Sequence, residues 1–127
     1  MVKQMNHTGA GIYCSDITYE WDLKHPTLFS HILNSYDNLG TIAFSKDGNI
    51  IYFTKSKEDD TQKFDLYTCQ MNPEREGEWI NIKPLDFNGD YSIENPHLST
   101  DGKTLFFASD MPDALGGFDI FLLCLLM

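Results

Sequence analysis

Short apolar runs separated by polar loops dominate this chain and predict strands rather than helices. Thr41 to Ser45 alternates loosely and ends at Lys46-Asp47-Gly48-Asn49, where Asp-Gly between apolar runs predicts a two-residue hairpin of type I′. The chain returns through Ile50-Ile51-Tyr52-Phe53-Thr54, a β-branched and aromatic run, and the charged segment from Lys55 to Lys63 is too polar to pack. Phe64 to Cys69 reads as a third strand, Asn72 to Gly77 has turn composition, and Trp79-Ile80-Asn81-Ile82 alternates as a fourth. Helical periodicity is unconvincing outside the loops, although Leu28 to Leu33 allows a short helical turn.

The pattern then repeats at an offset of 54 residues. Ser45-Lys46-Asp47-Gly48 returns as Ser99-Thr100-Asp101-Gly102, Ile51-Tyr52-Phe53 as Leu105-Phe106-Phe107, and Phe64-Asp65-Leu66-Tyr67 as Phe118-Asp119-Ile120-Phe121. Ile12-Tyr13 falls under Leu66-Tyr67 by the same shift. Such a period marks a repeat architecture whose units must stack to bury their faces. Four strands per unit is the composition of a propeller blade. The expected fold is therefore all-β: a β-propeller fragment of about two four-stranded antiparallel blades. Residues 1–40 read as a partial blade and connecting segment, 41–94 as a complete blade and 95–127 as an incomplete one.

Charge and cysteines narrow the partners. The formal net charge of −10, from 19 acidic and 9 basic residues, disfavours nucleic acid and anionic lipid surfaces. The acidic groups gather in Glu58-Asp59-Asp60 and Glu74 to Glu78, which read as solvated loops. Cys14, Cys69 and Cys124 lack the number for a full disulfide framework and the spacing of a zinc site, so they read as ordinary strand residues. The leading residues show no secretion signal, and the terminal Leu-rich run is too short to span a bilayer.

Candidate chemistry is sparse. Ser45 to Gly48 and Ser99 to Gly102 resemble the aspartate box of sialidases only in part, because Gly follows Asp directly, and that box is itself a structural turn. Asp65 and Asp119 hold matching places in two units, which fits a strand-anchoring acceptor better than a catalyst. Asp86, Asn88, Asp90 and Glu94 place oxygen ligands at alternate residues, a weak Ca²⁺ pattern that lacks the EF-hand spacing. The four histidines make no metal or hydrolase motif, and no glycine-rich phosphate loop is present. No cofactor and no catalytic activity are expected.

Asn95-Pro96-His97-Leu98-Ser99-Thr100-Asp101-Gly102-Lys103-Thr104-Leu105-Phe106-Phe107-Ala108-Ser109-Asp110, followed by Gly116-Gly117-Phe118-Asp119-Ile120, resembles the WD40-like β-propeller repeat of bacterial envelope proteins. The nearest likeness is to outer-membrane-associated OmpA-family proteins of the Bacteroidetes type, some linked to type IX secretion, and more distantly to TolB. The resemblance covers about residues 40–121. It implies that Ser45, Asp47, Gly48, Asp65, Pro96, Ser99, Asp101, Gly102, Asp110, Gly116, Gly117 and Asp119 are repeat-signature residues with structural roles.

It also implies a non-catalytic binding or scaffold module in the periplasm or at the outer membrane, meeting a protein or cell-wall partner through loops such as Ser56 to Lys63 and Asp110 to Gly117. The alternatives are an accessory propeller of a peptidase or hydrolase, and a truncated fragment without independent function. The apolar end of the chain departs from the family, and the chain reads as a piece of a larger protein. Open blade faces predict self-association, three copies supplying six blades, with Phe107 expected at the stacking face.

Overall fold

The computed structural model describes residues 11–35 and 38–125. These residues form three antiparallel sheets of two, four and three strands, and no α-helix occurs among them. β1 (Tyr13–Cys14) pairs with β2 (Thr27–Leu28). β3 (Leu39–Phe44), β4 (Ile50–Ser56), β5 (Phe64–Met71) and β6 (Trp79–Pro84) follow one another as a meander. β7 (Ile93–Leu98), β8 (Thr104–Ser109) and β9 (Asp119–Cys124) make the third sheet in the same order. The two larger sheets begin at Leu39 and Ile93, slightly before the unit boundaries expected from the sequence.

The sequence from Gly11 to Ile17 reads as a strand of the partial blade, but only β1 forms there. Its side chains and those of β2 are exposed, so little burial stabilises a longer pairing. The short helical turn forms as a single 3-10 turn at Leu33–Ser35, with Leu33 fully buried.

The Asp-Gly hairpins are not of type I′. That turn needs positive φ at both central residues, whereas Asp47 and Asp101 are not among the positive-φ residues, and Gly48 (77°) and Gly102 (74°) are. The Gly48 N–H donates to the Ser45 carbonyl at 2.9 Å, while the Ser45 N–H donates to the Ile50 carbonyl at 2.8 Å. The result is a wider loop with one left-handed residue, which glycine adopts without a Cβ clash.

Alternation along the strands divides each large sheet into two apolar faces. On the four-stranded sheet, Ile51, Phe53 and Cys69 point to one side, where they join Leu39 and Trp79 beneath Leu33 of the N-terminal segment. Leu66 and Tyr52 point to the other side and meet Ile93, Leu105 and Phe107 of the three-stranded sheet. Eight positions of these clusters repeat at the 54-residue offset. Ile12, Leu33, Leu39, Ile51, Phe53, Tyr67, Cys69 and Met71 of the first core correspond, 54 positions on, to Leu66, Phe87, Ile93, Leu105, Phe107, Phe121, Leu123 and Leu125 of the second. Cross-strand stacking repeats too: Phe53 lies 5.6 Å from Tyr67, and Phe107 lies 6.0 Å from Phe121.

Phe107 therefore does not sit at an open stacking face. It is 5% exposed in the core between the sheets and also stacks on Phe87 at 5.4 Å. The reason is period-2 alternation, which turns Phe106 outward with its cross-strand partner Leu122. An aspartate at position 107 would bury an unpaired charge and unfold the second core, reporting nothing about association. Phe53→Ala and Phe107→Ala are each expected to lower the unfolding free energy by about 3–5 kcal/mol in chemical denaturation, the usual cost of emptying a buried aromatic site. Ile120→Ala, at a position 74% exposed, is expected to stay within about 0.5 kcal/mol.

Candidate functional site

The polar residues singled out in the sequence are spread over turns and sheet junctions. In the first turn the Ser45 hydroxyl donates to Asp47 Oδ1 at 2.7 Å, and that oxygen accepts the Asn49 N–H at 3.0 Å. The Ile50 N–H donates to Ser45 Oγ at 3.0 Å. The second turn reproduces all three bonds: Ser99 to Asp101 at 2.6 Å, Lys103 N–H to Asp101 at 3.0 Å, and Thr104 N–H to Ser99 at 3.0 Å. The serine hydroxyl bond, followed by the backbone N–H, holds both aspartates below the ordinary carboxylate value. Ser45 Oγ and Asp47 Oδ1, like Ser99 Oγ and Asp101 Oδ1, are engaged in holding the turns.

Asp65 and Asp119 close the loops that precede them. Asp65 pairs with the half-buried Lys57, whose ammonium also donates to the Gly89 carbonyl at 2.9 Å. Asp119 instead accepts the Leu115 N–H at 2.6 Å, next to Gly116 and Gly117. Equivalent carboxylates thus anchor equivalent loops by different partners. Pro96 is buried at the irregular register between Glu94 and His97 of β7, an edge strand that needs no N–H there. Asp110 accepts the Ser92 N–H at 2.8 Å.

The Ca²⁺ candidates point to separate duties. The Asn88 amide grips the backbone of Leu66, accepting its N–H at 2.8 Å and donating to its carbonyl at 2.9 Å, and it also donates to the Leu85 carbonyl at 2.9 Å. Glu94 accepts the Ser92 hydroxyl at 2.9 Å, while Asp86 and Asp90 are exposed. No three His, Cys, Asp or Glu side chains converge as a metal site among the described residues.

Two features escaped the sequence. The first is that Asn34 grips Ile12 as Asn88 grips Leu66, with N–H to Oδ1 at 2.7 Å and amide to carbonyl at 2.9 Å, in both cases from 22 residues away. The common spacing of 22 was the available signal. The second is Ser92, buried at the seam between the large sheets. Its hydroxyl accepts the Phe64 N–H at 2.9 Å, and its carbonyl accepts the buried Ser109 hydroxyl at 2.7 Å. Among the described residues no buried side-chain N or O lacks a hydrogen-bond partner. These groups rigidify a junction rather than wait for a ligand.

A shallow cleft of about 470 Å³ lies between Asn49, Ile50, Met71 and Pro73 at the end of the four-stranded sheet. None of the aspartates or histidines named above lines it. Comparison of the chain with protein-family models, curated proteins and solved structures gave no match.

Burial pushes the Cys69 thiol up to about 12, whereas Cys14 and Cys124 are exposed. Native-state alkylation is expected to modify Cys14 and Cys124 and spare Cys69, read by peptide mass mapping. Asn34→Ala and Asn88→Ala are each expected to cost about 1–3 kcal/mol, because each strands a partly buried backbone N–H, of Ile12 or of Leu66. Exposed Thr100→Ala serves as the neutral control in the same denaturation series. The folded-state depression of Asp47 and Asp101 gives stability that is full above the ordinary value of 3.8 and is lost as pH falls through the lower folded values. The double variant Asp47→Ala/Asp101→Ala should show a shallower acid limb in thermal melts across that range.

Proposed function

We propose that the chain is a β-propeller segment, one blade per 54-residue unit, acting as a non-catalytic binding or scaffold module of the bacterial cell envelope. The observation that carries this reading is the recurrence of eight packing positions, 54 residues apart, in the first and second cores. Sheets that stack through equivalent faces at a constant sequence offset generate a radial or linear array. The resemblance of residues 40–121 to the WD40-like repeat of OmpA-family and TolB-like proteins selects the radial form and the envelope location.

The chemistry supports a module without catalysis. The serines and aspartates of the repeat signature are engaged in turns and loop anchors, and Asn34 and Asn88 in backbone grips. What remains free is loop surface. The β4–β5 and β8–β9 connections join the same pair of strands in their sheets, so the repeat puts them on one rim. Both carry exposed acidic groups, Glu58 and Asp59 in one and Asp113 in the other. A rim of this kind suits a protein or cell-wall partner with cationic groups.

Retention of the purified chain on peptidoglycan and on outer-membrane protein fractions tests the reading. Binding is expected to fall at least tenfold when Glu58, Asp59 and Asp113 are all replaced by serine, with the melting curve unchanged. Failure of the parent chain to bind either fraction, or equal binding by the two proteins, overturns it.

A further inference from the structure

The grip on Leu66 is built on a chemically labile pair. Asn88 is followed by glycine, alone among the asparagines of the chain, whereas Asn34, which makes the matching grip on Ile12, is followed by serine. An asparagine amide is attacked most readily by the next backbone nitrogen when the next residue has no Cβ to obstruct the approach. The packing itself demands that glycine. A Cβ at Gly89 would lie 2.6 Å from Tyr91 Cε1 and 3.0 Å from Tyr91 Cζ, and the Tyr91 hydroxyl fixes the ring by donating to the Phe87 carbonyl. Lys57 holds the Gly89 carbonyl from the other side at 2.9 Å.

The same fold keeps the pair from reacting. Asn88 Oδ1 accepts the Leu66 N–H at 2.8 Å, and Nδ2 donates to the Leu66 and Leu85 carbonyls at 2.9 Å each. Attack on Cγ comes perpendicular to the amide plane and makes that carbon tetrahedral, so these in-plane bonds cannot survive it. Reaction therefore requires the grip to open. Asn88 and Gly89 are only half-buried, and local opening of such a junction needs less than global unfolding.

We infer that Asn88-Gly89 is a self-modification site gated by the junction between the two large sheets, silent while the grip on Leu66 holds and converted to aspartate or isoaspartate when it opens. The Gly89 nitrogen bonds to Asn88 Cγ, the Cγ–Nδ2 bond breaks, and the proton lost by Gly89 leaves through solvent on the departing ammonia. Water then cleaves the resulting imide at Cγ, giving aspartate, or at the backbone carbonyl of residue 88, giving isoaspartate. No electrons are exchanged. Neither product restores the grip. A carboxylate has no N–H for the Leu66 and Leu85 carbonyls and sets negative charge against both oxygens. Isoaspartate also lengthens the main chain by a methylene between positions that Leu66 and Tyr91 hold. The modified fraction thus records how often the sheets have parted.

The test ages the full chain in mildly alkaline buffer and follows it by peptide mass mapping, with isoaspartate counted by enzymatic methylation. Asn88 is expected to react before any other asparagine, at least tenfold more slowly than in a free peptide of residues 79–94, and at the peptide's rate once denaturant unfolds the chain. Leu66→Ala removes the inserted side chain but keeps the gripped backbone groups, and it is expected to raise the rate several-fold; if that variant unfolds, its rate should equal the peptide's. Asn88→Asp, standing for the product, is expected to lower the denaturation midpoint and to speed amide exchange at Leu66 at least tenfold. Equal rates in the folded chain and the peptide, a rate unmoved by Leu66→Ala, earlier reaction at another asparagine, or an Asn88→Asp chain as stable as the parent would overturn the proposal.

Discussion

Antiparallel strands with apolar side chains on both faces cannot leave both faces in water, and the structure answers that constraint by setting residues of one unit, Leu66 and Tyr52 among them, into the core of the next. Leu66 is the clearest case. It belongs to the four-stranded sheet by hydrogen bonding and to the second core by packing. Its backbone, at the point where β6 departs, is satisfied by the following segment: the Leu85 N–H and the Asn88 amide donate to its carbonyl, and Asn88 Oδ1 accepts its N–H. Side-chain insertion and backbone grip together tie the sheets, and each would be weaker alone. Burial needs a fixed backbone, and a partly buried amide needs a partner.

The same economy of polar groups shapes what the surface offers. Two identical Ser-Asp networks build the β3–β4 and β7–β8 turns, Asp65 and Asp119 brace the next loops, and Ser92 and Ser109 seal the seam between the sheets. A residue type recurring in register is thereby occupied in register. What the units do not share lies in the loop tips, where acidic side chains are exposed, and on the outer face of the three-stranded sheet, where apolar ones are.

Much of the strand order was legible from residues. β-branched and aromatic runs between Asp-Gly and Asn-Pro turns located the strands of both large sheets to within a few positions, because local propensity and burial agree there. The face on which Phe106 and Phe107 lie was less legible, since two adjacent aromatics satisfy either alternation. The pairing of Leu105 with Leu123 and Phe107 with Phe121 decided it. The turn type was misjudged for a similar reason. Asp-Gly permits type I′, but the serine hydroxyl that bonds Asp47 and the Ile50 N–H favours the wider loop with only Gly48 left-handed.

By itself the sequence determined an all-β chain with a 54-residue period, strands at known places, and a signature of serines, aspartates and glycines at the turns. These follow from local forces: side-chain alternation, turn stereochemistry and the self-similarity of the units. The tertiary structure decided which residues act at a distance. It assigned Asn34 and Asn88 to backbones 22 residues earlier, drew Asn88 away from a cation pattern, buried Phe107 and exposed Ile120. Those outcomes depend on which sheet lies against which face, and no local preference encodes that.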